Sequence, residues 1–505
     1  MALIGSRVYP FAAEEPVSSD FKMLVDGVEA PLHIARVSAF PINRRWPGHQ
    51  RTQDQTELVS FASFEMDSPA KIELTPNKAF KEVVVRPLSK NIKPNVADGK
   101  ISFTIHEAGA YTVELDGYHN ALHIFADPAK KYDIDINDKN VIYYGKGLHD
   151  VGVIEMTEGQ TLFIDEGAVV YARIHAIDAN NIKILGRGIL DVSKVKEVIL
   201  NTEFTPEQIE QRNKGFAITN ATRKHTIHLE YCDNVEIEGI TIRDSLVYNI
   251  RPVCCRGLHI ENVKIIGNWR YNSDGIDMHN CEDVVLRRCF IRTYDDSICI
   301  KGFDYTQNEA DMFHNGIMYD VFKNVLIEKC VIWCDWGRSL EFGAETRAKE
   351  IFNITFRDCD LIRNSAVACD IQNVDYADIH DVLFENIRVE YDEVSQRPIL
   401  QKTDDQPFGD DPESTYMPKL LGSFVTYVPE YSAGGIKRGI NRDIVFKDIY
   451  VTAPRMPQSA MRGYDEEHQS KDIVIDGIYF NGKRIETMEE ANIEIGDFTS
   501  NISFK

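Results

Sequence analysis

From about Asn181 onward the chain repeats one pattern of polar and apolar positions: Asn or Asp, an alternating apolar pair, a small residue, and a second alternating pair. Asn181-Ile182-Lys183-Ile184-Leu185-Gly186, Asn234-Val235-Glu236-Ile237-Glu238-Gly239 and Asp283-Val284-Val285-Leu286-Arg287 are three copies. Others begin at Asn324, Asn353, Asp381, Asp443 and Asp472. The steps from Val235 to Leu258 and on to Val284 are 23 and 26 residues, and those from Val325 to Ile354 and Val382 are 29 and 28. Alternation with period 2 predicts strands, and short strands repeating every 20 to 30 residues are the signature of a solenoid. With no helical periodicity between the strands, and without the leucine and asparagine framework of leucine-rich repeats, the expectation is a parallel β-helix whose coils stack one on the next.

Residues 1–130 break this rhythm. Runs such as Glu82-Val83-Val84-Val85-Arg86 and Tyr111-Thr112-Val113-Glu114-Leu115 are separated by Gly and Pro at turn-like spacings. That predicts an N-terminal antiparallel β-sandwich, ended by Asn120–Pro128 and followed by the β-helix over 131–505. The whole chain is expected to be all-β. Two stretches, Phe303–Val321 and Tyr391–Arg442, lack the repeat and are expected to be long loops that rim one cleft.

Composition narrows the partners. At 505 residues the chain exceeds one ordinary globular core, and 43% hydrophobic content with 10% aromatics suits a packed protein. A formal net charge of −23 argues against nucleic acid, anionic membranes and polyanions as partners. No run of about 18 apolar residues predicts a membrane span. The start Met1-Ala2-Leu3-Ile4-Gly5-Ser6-Arg7 lacks the regions of a secretory signal, so the location expected is cytoplasmic, or secreted if a signal peptide has been removed. The ten cysteines include Cys289, Cys330 and Cys359 at repeat positions inside strands, which suits small core fillers rather than disulfides. No cysteine or histidine spacing fits zinc, and neither a metal nor a cofactor is expected. The oligomeric state is left open, a homo-oligomer included.

The chemistry concentrates where two coils meet. Asn272-Ser273-Asp274-Gly275 and Tyr294-Asp295-Asp296-Ser297 each run into an apolar alternation, Ile276 and Met278 after the first, Ile298 and Ile300 after the second. Levelling Ile276 with Ile298 sets Asp274 beside Asp296, with Asp295 one residue aside. Neighbouring strands lie roughly 5 Å apart, so the levelled carboxylates perturb one another and share protons, as acid/base cleavage of a glycosidic bond requires. In the next coil Leu340 matches Ile298, which brings Arg338 beside Asp296 and aligns Glu341 with Cys299 and Asp277. One coil further Cys369 and Ile371 point inward, so Asp370 and Gln372 point outward. One face therefore presents Asp274, Asp277, Asp295, Asp296, Lys301, Arg338, Glu341, Asp370 and Gln372. Aspartates at coil corners also serve the backbone, but three of them converging beside a base is a rarer arrangement. Lys301 and His279 are candidates for sugar hydroxyls. Trp269, Tyr271, Tyr294, Trp333 and Trp336 are candidate sugar platforms, Trp269 and Trp336 above all because they flank the motifs.

Asn-Ser-Asp-Gly, then Asp-Asp one coil on, then the glycine-rich Gly337-Arg338-Ser339-Leu340-Glu341-Phe342-Gly343 resembles glycoside hydrolase family 28, the polygalacturonases, and the related family 49 dextranases and isopullulanases. The resemblance spans the β-helix, and the N-terminal sandwich is similar to the extra domain of family 49. It implies a right-handed parallel β-helix and inverting hydrolysis, with Asp295 as general acid and Asp274 and Asp296 holding and deprotonating the attacking water. Two departures bear on the substrate. Polygalacturonases have Gly-His-Gly where Gly337-Arg338-Ser339 stands, and an Arg-Ile-Lys triplet for the substrate carboxylate where Asp370-Ile371-Gln372 stands. An aspartate repels a uronate, so a neutral poly- or oligosaccharide is expected, a dextran-like or other α-glucan by the resemblance to family 49. The alternatives are a polygalacturonase-like hydrolase or a lyase acting on a uronic-acid glycan, and a β-helix that binds glycan without cleaving it.

Overall fold

The asparagine and aspartate that begin each repeat turn out to be its corners. In a computed structural model, which describes residues 5–39, 56–195, 225–303, 309–392, 417–429, 432 and 438–505, Asn181, Asn234, Asp283, Asn324, Asn353, Asp381, Asp443 and Asp472 all adopt φ between 52° and 60°. This left-handed conformation costs most residues about 1–2 kcal/mol, and Asn and Asp tolerate it best. Stacking puts these corners in register. Asn324 Nδ2 donates to Asp283 Oδ1 at 2.7 Å and Asn353 Nδ2 to Asn324 Oδ1 at 2.8 Å, so the corner residues form a ladder along the solenoid.

From Val141–Tyr144 to Thr499–Phe504 nearly every strand pairs in parallel with the strand one coil later, and the chain winds as a right-handed parallel β-helix. The alternating residues point inward by turns. Ile276, Met278, Ile298, Ile300, Leu340, Phe342, Cys369 and Ile371 are all sealed in one continuous core. Each such aliphatic side chain contributes roughly 1.5–3 kcal/mol by leaving water. All ten cysteines are free and buried. The described residues contain no helix long and apolar enough to cross a membrane.

The N-terminal strands form two sheets, six strands in one and five in the other, with Phe21, Met23, Phe64, Ile72, Ile101 and Ile124 packed between them. Leu122–Pro128 lies at the centre of the six-stranded sheet rather than at its edge. It runs parallel to Thr56–Met66 and antiparallel to Gly109–Leu115. The other face of this sheet docks on the β-helix, where Val37, Phe61 and Phe125 meet Tyr171, Ile266, Phe290 and Trp333. Trp333 is 1% exposed and belongs to this interface, so it is not a sugar platform. Buried ion pairs fasten the same seam: Arg86 and Arg363 grip Glu114 at 2.9 and 2.6 Å, and Lys264 holds Asp127 at 3.0 Å.

The two irregular stretches differ from expectation. Within the first, Phe313–His314 and Ile317–Met318 form a small hairpin, and Phe303, Met312 and Tyr319 pack on Val253 and Cys254. The second contains a coil of the solenoid, because Lys419–Val425 pairs in parallel with Val367–Asn373. Residues 304–308, 393–416, 430–431 and 433–437 lie outside the described residues, and so does what the sequence suggested for them.

Candidate active site

The register inferred from the apolar alternation is the register of the sheet. Ile276 pairs with Ile298 and Ile298 with Leu340; Asp277 stands level with Cys299, Glu341 and Asp370 along one outward row. Asp274 and Asp295-Asp296 occupy the turns that enter these strands. Backbone bonds fix the turns to one another: Gly275 N donates to Asp296 O at 2.8 Å and Ser297 N to Arg338 O at 2.8 Å. Asp296 N donates to Asp295 Oδ1 at 3.0 Å, and Arg338 N donates to Asp296 Oδ1 at 2.7 Å. Only glycine fits at position 337. A Cβ there would stand 2.3 Å from Asp296 Oδ1 and 2.4 Å from Asp296 N.

Two cations divide the acids between them. Lys301 Nζ lies 2.9 Å from Asp277 Oδ2, 3.4 Å from Glu345 Oε2 and 3.9 Å from Asp274 Oδ2. Arg338 lies 2.8 Å from Asp370, 3.4 Å from Glu341 and 4.0 Å from Asp296. Acids still outnumber bases, and burial makes the imbalance felt. Asp295 is pushed well above the usual carboxylate range by burial and then by Asp296, against Lys301 and Arg338. Burial, Asp277 and Asp295 push Asp274 well up. Glu341 is raised by burial and Asp296, while Asp370 is raised by burial against Arg338. An upward shift of this kind favours the protonated form of Asp295, the form a general acid needs. Asp296 sits beside it, facing the Arg338 guanidinium and accepting the Arg338 backbone N–H.

The sequence-predicted residues fall at different depths. Asp277, Glu341, His279, Lys301 and Trp269 are buried beneath the face, and His279 Nδ1 is 2.9 Å from Gly302 O. Arg338, Gln372 and Trp336 are half-buried at its surface. Trp336 stacks on buried Tyr294 at 5.3 Å and leans on Tyr271 at 5.5 Å, forming an aromatic rim beside Asp295. Two members were missed: Glu345, and Tyr248, whose ring lies 5.0 Å from Lys301 Nζ. Both sit in turns, where the period-2 alternation gives no register to read. Ligand atoms of Asp296, Cys299 and Glu341 come within 4.8 Å of one another, the one such group among the described residues. The Arg338 guanidinium already stands against two of those three, which disfavours a further cation there.

Comparison with known proteins agrees with this geometry. The family described as Glycosyl hydrolases family 28 matches residues 164–410, just under half of the chain and all of the acidic face described above. A polygalacturonase of Brassica napus is 27% identical over 140 residues, which is 27% of this chain and 30% of that protein. The chain spans less than a third of the length of the curated relatives it matches. Among solved structures, Dex49A from Penicillium minioluteum superposes with a TM-score of 0.61 at 12% identity, covering 99% of this chain and 97% of the other. The Yersinia enterocolitica family 28 exopolygalacturonase gives 0.51 at 13% identity, covering 86% and 96%. Both similarities concern the fold, and the first extends over the sandwich as well as the solenoid. Over its central coils the chain resembles glycoside hydrolase family 28, and in overall fold it is similar to Dex49A.

Proposed function

We propose that this protein hydrolyses glycosidic bonds in a neutral poly- or oligosaccharide, with inversion at the anomeric carbon. Asp295 gives its proton to the glycosidic oxygen as the C–O bond breaks. Asp296 takes a proton from the water that attacks the opposite face, and Asp274 holds that water. The observation that carries the reading is the pairing of Asp295, its pKa pushed well up by burial and its neighbour, with Asp296 at the same turn beside Arg338. Two adjacent carboxyls in unlike environments divide into acid and base.

The neutral substrate rests on Arg338. Its charge is shared among Asp296, Glu341 and Asp370, and a uronate placed there would meet Asp370 as well. A dextran-like or other α-glucan is the preferred class. The test is a screen of neutral α-glucans, fructans, galactans and polygalacturonate, with the product anomer read by NMR. Asp295→Asn and Asp274→Asn should each lower turnover by about 10²–10⁴-fold while the fold persists. A near-normal rate in either variant, or retention of configuration, refutes the assignment. The relative described as a polygalacturonase favours a second reading, a galacturonate-containing glycan, and polygalacturonate as best substrate in the same screen would select it.

A further inference from the structure

The proposed chemistry leaves the charge of Lys301 unused, although the chain buries it to 4% exposure in the middle of the site. Its ammonium is enclosed by Asp277 from the preceding coil, Asp274 from the turn before it, Glu345 from the following turn and the ring of Tyr248 from two coils back. Cys299, on its own strand, His279, level with Lys301 on the preceding coil, and Asp295 and Asp296, on the turn below, are further titratable groups beside this cluster. Asp277 is fully buried with the Lys301 ammonium 2.9 Å from its Oδ2, its Oδ1 has no partner, and Asp274 Oδ1 has none either. Two buried carboxyls, each with an oxygen that has no donor and three residues apart at the start of one strand, can satisfy each other if one proton lies between them. Lys301 is nearer to Asp277 by 1.0 Å (3.9 against 2.9 Å), so the carboxylate form belongs there.

We infer that Lys301 is a positioning residue: by holding Asp277 as the carboxylate, it leaves the shared proton of the pair on Asp274. This rests on the reading of Asp295 and Asp296 as acid and base, and gives Asp274 a distinct part in it. A neutral Asp274 turns its proton to Asp277 and meets the attacking water through its other oxygen without competing for the water's proton, so Asp296 is the only base. Burial raises both carboxyls, and Lys301 opposes it at both, from 2.9 Å at Asp277 and from 3.9 Å at Asp274.

The test reads the protonation of Asp277 directly, by infrared difference spectra of each protein against the same protein carrying Asp277→Asn, titrated across neutral pH. In the native protein Asp277 should absorb as a carboxylate at pH 7. In Lys301→Met it should absorb as a protonated acid, its midpoint higher by about one to three pH units, the effect of removing an opposite charge within 4–6 Å. Lys301→Arg should restore the carboxylate. Glu345→Gln, which removes a competing anion from the same ammonium, should move the midpoint the other way. Shifts of opposite sign are a signature that loose packing would not produce. A midpoint unchanged in Lys301→Met overturns the inference. If that variant does not fold, a midpoint unchanged or raised in Glu345→Gln overturns it instead. Because the readout needs no substrate, the result stands apart from whether the glycan has been identified correctly.

Discussion

Gly337→Ala is the smallest change that should separate the fold from the chemistry. The added Cβ would lie 2.3 Å from Asp296 Oδ1, 2.4 Å from Asp296 N and 2.6 Å from Asp295 C, where ordinary contact begins at about 3.4 Å. Something must yield by about 1 Å. Two of the three atoms are backbone, and that backbone is tied to the next coil by the 2.8 Å bond from Ser297 N to Arg338 O. The movement therefore falls on Asp295 and Asp296 themselves. Overpacking of this kind costs about 1–3 kcal/mol, which a folded domain survives. A displacement of about 1 Å at reacting groups costs about 100-fold in rate, or roughly 2.7 kcal/mol of barrier. The assay pairs kcat/KM, from reducing-sugar release on the best glycan, with thermal melting by circular dichroism. Gly109→Ala is the control, since its Cβ would meet only one ring carbon, at 3.9 Å. It should leave kcat/KM unchanged. The reasoning fails if Gly337→Ala retains kcat/KM within about threefold of the native protein, because the two aspartates would then tolerate a shift that the mechanism forbids.

The remaining predictions concern specificity and acid stability. Asp370→Lys removes one of the carboxylates on Arg338 and adds a cation at the same outward position; the ratio of kcat/KM on a uronide to that on the best neutral glycan should rise at least about tenfold, and an unchanged ratio would remove Asp370 from substrate selection. Glu15, 3% exposed, is held down to about 2 from 4.5; burial opposes this, but His33 and Arg243 overcome it. A depressed carboxyl contributes stability that is present above its unfolded value and lost as pH falls through the folded one, here between about 4.5 and 2. The shift corresponds to roughly 3 kcal/mol. Glu15→Gln should therefore melt lower than the native protein at pH 6, with the gap narrowing toward pH 2, and a gap independent of pH would refute the linkage.

The sequence disclosed the solenoid because two independent signals coincide at most of the coils. Asparagine or aspartate marks the left-handed corner, and alternation marks the buried face, so a register could be laid from Ile276 to Ile298 to Leu340 before any coordinates. The same register delivered Asp274, Asp296 and Arg338 as neighbours. Lys419–Val425 escaped because Gly422 and Ser423 interrupt its apolar run. The glycine has a spatial cause: a Cβ at 422 would stand 2.0 Å from Asp370 Oδ1, so the coil gives up its pattern where it passes the acidic row. Glu345 and Tyr248 escaped for a related reason. They reach the site from turns, and turn geometry sets their direction without any period in the sequence.

The solenoid also explains why so many acids can be gathered in one place. Inward positions of the site strands carry Ile276, Met278, Ile298, Ile300, Leu340 and Phe342, whose burial stabilises each coil regardless of what its outward positions hold. Outward positions of successive coils are fixed at the strand spacing, about 5 Å, whether their charges attract or repel. Asp277, Cys299, Glu341 and Asp370 occupy one such row. In a surface helix, repelling side chains would swing apart into water. Here they are walled in, and the repulsion relaxes only by proton uptake or by an inserted cation. Asp274, Asp295 and Glu341 have their pKa pushed well up, toward proton uptake, while Lys301 and Arg338 enter from adjoining coils to pair with the rest. The backbone thus holds together carboxyls whose surroundings differ, and a difference of that kind is what the proposed acid/base cleavage would use.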